Sequence, residues 1–486
     1  MNTTLSTIVL VILPVIMVVL ILYLLFGDKD RYRISKKYRM RLQLNSGSLK
    51  IDNIRKGASI IGAAGSGKTE SVIYQFLQHF TKHKFCGIVH DYKDLELTEM
   101  VYPLCEKHQI KLYTIAFDTI YYKVNPIAPK YLPSEESVLE VSKVLMENLL
   151  EQNLSEAIGS NKFFSDAVEG LLSGLIWNLR SYYPQYCTLP HLMALYQYLD
   201  KDGLVKFLKT DITAQAMASA FLHGVDSEKQ TAGVRSTLSN AFKKISTRKL
   251  FMVLSKDEVP LNINDPENKA IIAISNHPKY ESTFAPIIAM VMHTVVKQMS
   301  ERGMESSFIL MEEAPTIKLL HMHRIPATLR SYDIATVYVM QDKIQNDMLY
   351  GDKASRAIIS NLSYQFFGKA NDPDTARYYE SFFEMVIQPT RAVTTESGWS
   401  SSSRVTKGER EVSKRRANDF FKLKTGEFVA FADGKDRKVQ FRLLNIQKKK
   451  PKLIESYTED DLDLNFKRIH REVRDMFESM KGKNED

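Results

Sequence analysis

Apolar residues are arranged along this chain in three textures. The run IVLVILPVIMVVLILYLLF, residues 8–26, is 19 residues long, interrupted only by Pro14 and edged by Tyr23. As a helix it is roughly 28 Å long at about 1.5 Å per residue, close to the hydrocarbon thickness of a bilayer, and it predicts one N-terminal transmembrane helix. A cleaved signal peptide fits less well, because no basic region precedes the run and no small-x-small site follows it. Beyond residue 56, short apolar runs recur at 85–91 (FCGIVHD), 110–116 (IKLYTIA), 269–275 (KAIIAIS), 308–311 (FILM), 336–341 (TVYVMQ), 364–368 (YQFFG) and 427–433 (EFVAFAD). They lack polar alternation, as strands buried on both faces of a parallel sheet do, and helical periodicity separates them. Between Asn125 and about Pro266 no strand is legible. There the patterns SVLEVSKVLMENLLEQ, FFSDAVEGLLSGLIWNLR and HLMALYQYL predict an all-α insertion that caps one end of the sheet domain. The stretch 284–296 (FAPIIAMVMHTVV) has 13 residues, too short to span a bilayer, and reads as a buried helix. A last pair of strands turns at Asp433-Gly434, as an antiparallel edge hairpin would.

The fold class is therefore α/β, organised as an anchor (1–27), a basic juxtamembrane segment (28–56), a sheet domain in two parts (57–124 and 268–452) split by the insertion (125–267), and an acidic tail (453–486). Composition adds little to this: 486 residues with 44% hydrophobic and 25% charged is ordinary for a folded protein. The three cysteines, Cys86, Cys105 and Cys187, are too scattered for a disulfide framework or a zinc site.

Charge is informative where it clusters. Residues 28–56 carry 10 basic against 3 acidic side chains, which by the positive-inside rule keeps this flank and the bulk of the chain cytoplasmic, with the N-terminus outside. Anionic lipid accounts for that cluster. Residues 391–452 carry 17 basic against 7 acidic and include SGWSSSSRVTKGER, which reads as a mobile loop able to track phosphates, with Trp399 to stack on bases; a solvated basic hairpin is the competing reading. The tail from Leu453 reverses the sign, 6 basic against 10 acidic, and its amphipathic pattern DLNFKRIHREVRDMFESM is expected to pack on its own domain.

The chemistry is announced at residues 62–69, GAAGSGKT, which follow an apolar strand and open a helix. This is G-x-x-x-x-G-K-[ST]. Gly62, Ala63, Ala64, Gly65, Ser66 and Gly67 form a loop whose glycines let backbone N–H groups face a phosphate, Lys68 reaches the β- and γ-phosphates, and Thr69 ligates Mg²⁺. The nucleotide read from this pattern is ATP. A P-loop needs an acid on a neighbouring strand, and Glu312-Glu313, closing the apolar run 308–311, fit: successive strand side chains point opposite ways, so Glu312 takes the metal and Glu313 the attacking water.

The order of anchor, basic flank, P-loop strand, a second strand ending in Asp91-Tyr92-Lys93-Asp94, Asn125-Pro126 opening the insertion, the Glu312-Glu313 strand and a strand ending in Gln341 resembles the TraG/TraD-type coupling proteins of conjugation and type IV secretion. The resemblance runs from the anchor to about Leu444. It implies a RecA-like P-loop domain in a homo-hexameric ATPase of the inner membrane. Such a protein passes relaxase-linked, single-stranded DNA, and in some cases protein effectors, to a secretion channel. It also implies that Gln341 senses the γ-phosphate and that Arg330 is an arginine finger offered to the neighbouring subunit. Two departures stand out: one membrane helix where that family usually has two, and Glu312 where Asp is usual. A double-strand DNA pump of the FtsK/HerA kind and a non-motor receptor that binds ATP remain alternatives.

Overall fold

The computed structural model describes residues 14–18, 35–150, 160–395 and 403–482. Among them, no helix is long and apolar enough to cross a membrane. The expected anchor lies outside the described residues except for 14–18, a helical stretch with exposed Val15, Ile16, Met17 and Val18.

The described chain begins with a hairpin, β1 (Met40–Gln43) and β2 (Ser48–Ile51), followed by β3 (Ala58–Ile61), α1 (Tyr74–Lys82), β4 (Cys86–Asp91), α2 (Glu96–His108) and β5 (Lys111–Ile115). Then come the insertion helices α3 (Glu135–Leu150), α4 (Ser160–Tyr182), α5 (Leu189–Tyr198), α6 (Lys201–Leu208), α7 (Ile212–Met217), α8 (Ser219–His223), α9 (Glu228–Ile245) and α10 (Arg248–Val253). The chain returns through β6 (Ala270–Ser275), α11 (Glu281–Met299), β7 (Ser307–Met311), α12 (Ile325–Leu329), β8 (Ile334–Met340), α13 (Lys343–Tyr350), α14 (Asp352–Ser360), β9 (Tyr364–Phe367) and α15 (Pro373–Glu380). It ends with β10 (Met385–Thr395), β11 (Ser403–Ser413), α16 (Ala417–Phe421), β12 (Glu427–Ala432), β13 (Lys435–Gln440) and α17 (Glu459–Gly482).

Nine strands form one sheet in the order β13-β12-β9-β3-β8-β7-β4-β6-β5. The strands from β9 to β5 are mutually parallel, while β12 and β13 add an antiparallel edge. Every residue of β3, β4, β6, β7, β8 and β9 is buried, which is why these strands read as continuous apolar runs. One face of the sheet packs on α1 and α2, through Phe76, Phe80, Leu97 and Val101. The other face packs on α11, whose residues 284–296 are all buried.

The insertion joins β5 to its neighbour β6 and shares a continuous hydrophobic core with this second face. It therefore extends one face of the sheet through α11 instead of capping an end. The reason lies in α11, apolar all round: it uses one side on the sheet and presents the other to α3 and α9.

Residues 28–56, expected to be a juxtamembrane segment, are built into the sheet domain from the first strand onward. Met40, Leu42, Ile51 and Ile54 are buried in the core under α1, Gln43 N–H donates to Gln75 Oε1 at 2.6 Å, and Leu44 bridges to Phe441. After β13 and before the acidic tail the chain runs as a strap, Leu444 N–H donating to Glu70 O and Lys449 N–H to Glu99 O. The acidic tail then lays α17 on the insertion, burying Ile469 and Val473. Phe466 meets Phe251 at 4.6 Å, Phe477 stacks on Tyr198 at 5.6 Å, and Glu472 pairs with His191 at 2.9 Å. Leu464, off this face of α17, is 65% exposed.

The Ser-rich basic segment is where the fold departs most from expectation. Residues 403–413, of which 403–410 are expected as loop, or as a basic hairpin in the competing reading, pair antiparallel with 385–395 over eleven positions in a separate two-stranded sheet. β-branched residues (Val386, Ile387, Thr390, Val393, Thr394, Thr395; Val405, Thr406, Val412) carry the strand propensity that Ser and Lys obscure. Trp399 and the serines at 397 and 400–402 lie outside the described residues.

Candidate nucleotide site

The P-loop leaves the C-terminal end of β3 between β8 and β9. Its neighbours hold it by backbone bonds: Gly62 N–H donates to Met340 O at 3.3 Å, Ala63 N–H to Lys369 O at 2.8 Å, and Gly426 N–H to Ser66 O at 2.9 Å. Thr425 Oγ1 donates to Gly65 O at 3.0 Å. Gly65 and Gly67 sit at φ +73° and +83°, the left-handed region open to glycine. At Gly67 a Cβ would come within 3.0 Å of Gly426 N. Ala64 and Gly65 form the exposed tip, while a wide helical turn, Thr69–Ile73, leads into α1.

The Lys68 ammonium is turned in against the loop, donating to Gly62 O and, at 3.4 Å, to Ala63 O. Burial holds its pKa below the usual lysine range, and Glu313 opposes that shift. The Ser66 hydroxyl is buried with no hydrogen-bond partner among the described residues. An orphaned hydroxyl, two left-handed glycines and a helix whose first N–H groups have no preceding carbonyl suit a phosphate. Thr69, half-buried at the mouth, and the Glu312 carboxylate are hard oxygen donors, the type Mg²⁺ prefers.

The acidic pair lies one strand further away than expected. β8 separates β3 from β7, with Ile61 level with Met340 and Tyr338 level with Met311. Gln341 therefore sits between the P-loop and the acids. β7 itself stops at Met311, so the divergence of the two carboxylates arises from a turn and not from the pleat: Glu313 adopts φ +45°. Its Oε1 accepts from Gln341 Nε2 at 3.0 Å. Glu312 turns the other way, to Lys93 Nζ at 3.3 Å and Tyr92 N–H at 3.4 Å. Both acids are buried, at 1% and 3% exposure.

Burial pushes the Glu312 carboxyl up to about 7, with Lys93 opposing. Burial works against the Lys93 charge too, but Glu312 and Glu96 outweigh it and raise its pKa. Asp91 is also pushed up, to about 6, by burial, against hydrogen bonds from Thr98 and the Lys93 backbone. Lys93 is a cation of this site that sequence reasoning recognises only as part of the Asp91-Tyr92-Lys93-Asp94 motif. No local pattern assigns it a partner 219 residues away. The same holds for Thr425 and Gly426, which cover the P-loop from a different part of the chain.

The structure thus gathers Gly62, Ala63, Ala64, Gly65, Ser66, Gly67, Lys68, Thr69, Glu312, Glu313 and Gln341 at the C-terminal ends of β3, β7 and β8. Arg330 is not among them. It is exposed and precedes β8 by four residues, so it lies at the opposite end of a seven-residue strand, about 23 Å at roughly 3.3 Å per residue. It cannot reach its own P-loop. In the basic segment, Lys414 and Arg415 are engaged with Asp436, at 2.6 and 3.2 Å, so these two cations already have a carboxylate partner.

A parallel sheet with its P-loop central and an acidic pair two strands away, interrupted by a helical insertion, defines a P-loop nucleotide-binding protein of RecA-like architecture. The chain belongs to the family of type IV secretory system conjugative DNA transfer proteins, whose model matches residues 28–418. Among solved structures, the bacterial conjugative coupling protein TrwBdeltaN70 in its unbound form is 12% identical, with a TM-score of 0.64 over 88% of this chain and 93% of that one. TrwB in complex with ADP and Mg²⁺ is 13% identical, with a TM-score of 0.65 over 89% and 95%. VirB4 of Thermoanaerobacter pseudethanolicus is 11% identical, with a TM-score of 0.50 over 84% and 98%. At these identities the likeness is one of fold. No curated protein sequence matches the chain.

Proposed function

We propose that this protein is an inner-membrane ATPase coupling protein that recruits DNA, single-stranded and relaxase-linked, and drives it into a type IV secretion channel. The observation that carries this reading is the convergence of Lys68, Glu313 and Gln341, with Gln341 bonded to Glu313 between the P-loop and acidic strands. TrwB structures with ADP and Mg²⁺ and with a non-hydrolysable ATP analogue support ATP as the ligand. The P-loop amides and Lys68 bind and neutralise the phosphates. Glu313 orients the attacking water and takes its proton, and Gln341 holds Glu313 until the γ-phosphate arrives. Thr69 and Glu312 would hold Mg²⁺, which when bound neutralises charge on the β- and γ-phosphate oxygens.

The position of Arg330 at the far end of β8 favours a role in trans, in a homo-hexamer where it enters the neighbour's site. Relaxase or accessory proteins are the expected partners of the helical insertion and tail, and the run 8–26 is the expected single membrane pass with the N-terminus outside. The chain is read as a sheet domain (57–124 and 268–452, with the β1–β2 hairpin packed into it) around the insertion (125–267). One observation favours a second reading, a receptor that binds ATP without turnover: the Lys93 ammonium occupies the Glu312 carboxylate.

Steady-state ATPase activity of the full chain in detergent, across protein concentration and with single- or double-stranded DNA, separates these readings. Concentration-dependent turnover stimulated by single-stranded DNA is expected. It should be abolished in Lys68→Ala and in Glu313→Gln, the latter still binding ATP. Stimulation by duplex alone favours a double-strand pump, and tight ATP binding without turnover favours the receptor.

A further inference from the structure

The turn that carries Glu313 is held from two sides, and one side belongs to the helical insertion. After Glu313 the chain turns through Ala314–Thr316, closed by Thr316 N–H and Oγ1 donating to Glu313 O at 3.0 and 2.7 Å. The next three residues run extended between two elements. On one side is Tyr350, the last residue of α13, the helix that follows Gln341; its hydroxyl accepts from Leu319 N–H at 3.1 Å and donates to Ile317 O at 3.3 Å. On the other side is Asn148, in the last turn of α3. Lys318 N–H donates to Asn148 Oδ1 at 3.1 Å, and Asn148 Nδ2 donates to Lys318 O at 2.9 Å.

One carboxamide thus pairs with both backbone groups of a single residue, as a neighbouring strand would. Its second N–H goes to Val144 O at 2.9 Å, so the amide orientation is fixed: a flip would set its oxygen against two carbonyls. Beside it, Glu147, 5% exposed, pairs with Lys318 Nζ at 3.3 Å. A cleft of about 860 Å³, lined by Tyr92, Asn148, Thr316, Lys318 and Met348 among others, opens next to these bonds. At this edge the insertion therefore reaches the turn through polar bonds as well as through the apolar core that buries Ile317 and Leu319.

Glu313 has a side chain and sits at φ +45°, a conformation that persists only where its surroundings impose it. We propose that Asn148 is a positioning residue: by pairing with Lys318 it lets the helical insertion set the aim of the Glu313 carboxylate. Its catalytic consequence rests on the hydrolytic reading above; its structural consequence does not. A shift of α3 relative to the sheet is then transmitted to the water-orienting group through the Asn148–Lys318 backbone pairing, beside the Glu147–Lys318 ion pair.

The test uses the full chain and two readouts, amide hydrogen exchange over residues 313–319 and turnover set against MgATP affinity. In Asn148→Ala, exchange in that segment should accelerate about tenfold or more, as expected for losing two net hydrogen bonds. The turnover number should fall by about the same factor, while affinity for a fluorescent ATP analogue stays within about twofold. Asn148→Asp, isosteric and still able to accept from Lys318 N–H but without the donor, should move both readouts the same way by a smaller factor, and it keeps the test open if the alanine variant folds poorly. Asn148→Gln, which keeps donor and acceptor, should recover part of both effects. Unchanged exchange overturns the proposal whether or not the wild type hydrolyses ATP. Faster exchange with undiminished turnover overturns it as well. A wild type without turnover refutes the hydrolytic reading instead, and the exchange arm still decides whether Asn148 holds the turn.

Discussion

Replacing Glu312 with glutamine should make the nucleotide-free protein more stable, and only at neutral to alkaline pH. Glu312 is 1% exposed, and burial raises its carboxyl from 4.5 to about 7 even with Lys93 alongside. The folded state therefore holds this proton to a higher pH than the unfolded chain does. Ionising the group in the folded state costs free energy that the unfolded chain does not incur. That cost is absent below pH 4.5, where both states are protonated, grows as pH rises toward 7, and is complete above about pH 8. The gap between 4.5 and about 7 corresponds to at most about 3.5 kcal/mol at roughly 1.4 kcal/mol per pH unit. Glutamine keeps the shape and carries no charge, and Lys93 keeps Glu96 at 3.7 Å. Denaturant unfolding of the full chain, wild type and Glu312→Gln, at pH 5, 7 and 8.5 without nucleotide or Mg²⁺ measures the difference. The variant should gain about 2–3 kcal/mol at pH 8.5 and almost nothing at pH 5. Saturating MgATP should reverse the order, because the variant lacks a proposed metal ligand. A variant less stable than wild type at pH 8.5, or a gap independent of pH, would refute the reasoning: Glu312 would then be a stabilising partner of Lys93 rather than a strained acid kept for its chemistry.

Two further outcomes test the assignments that lie away from the P-loop. If Arg330 serves the neighbouring subunit, Lys68→Ala and Arg330→Ala chains should each be inactive alone, and mixing them should restore turnover at interfaces that pair an intact P-loop with an intact arginine; no recovery in mixed assemblies would return Arg330 to a surface role. In the basic hairpin, neutralising Lys407 and Arg410 should weaken DNA binding and lower the slope of log affinity against log salt by about 1.8, at about 0.9 per lost phosphate contact on duplex. Neutralising Lys414 and Arg415 instead should change it less, because both are already paired with Asp436; equal effects from the two pairs would argue against that distinction.

Much of the fold was legible because its signals are local. The apolar runs at 85–91, 269–275 and 364–368 became β4, β6 and β9 within one or two residues, since a strand buried on both faces has no polar position to disguise it. The β10–β11 hairpin entered only as the competing reading of the basic segment, because its run of Ser, Thr, Lys and Arg shows no hydrophobic alternation to announce a strand pair. The hairpin β1–β2 was hidden by the same basic residues that suggested a lipid surface, although Met40, Leu42 and Ile51 alternate into the core.

By itself the sequence determined the P-loop, the acidic pair, the parallel-sheet architecture, the helical insertion and the family, because each depends on residue types at fixed short spacings. Glycines must sit where φ is positive, a lysine must follow them, and acids must end a buried strand. Only the tertiary structure decided which distant groups meet. It put β8 between the P-loop and the acids and so set Gln341 against Glu313. It also set Lys93 on Glu312, Thr425 and Gly426 over the P-loop, Asn148 on Lys318, and Arg330 at the wrong end of the sheet for its own site. Those contacts join residues 28 to 360 positions apart. They are fixed by strand order, which follows from how apolar faces pack together, and no pattern along the chain encodes it.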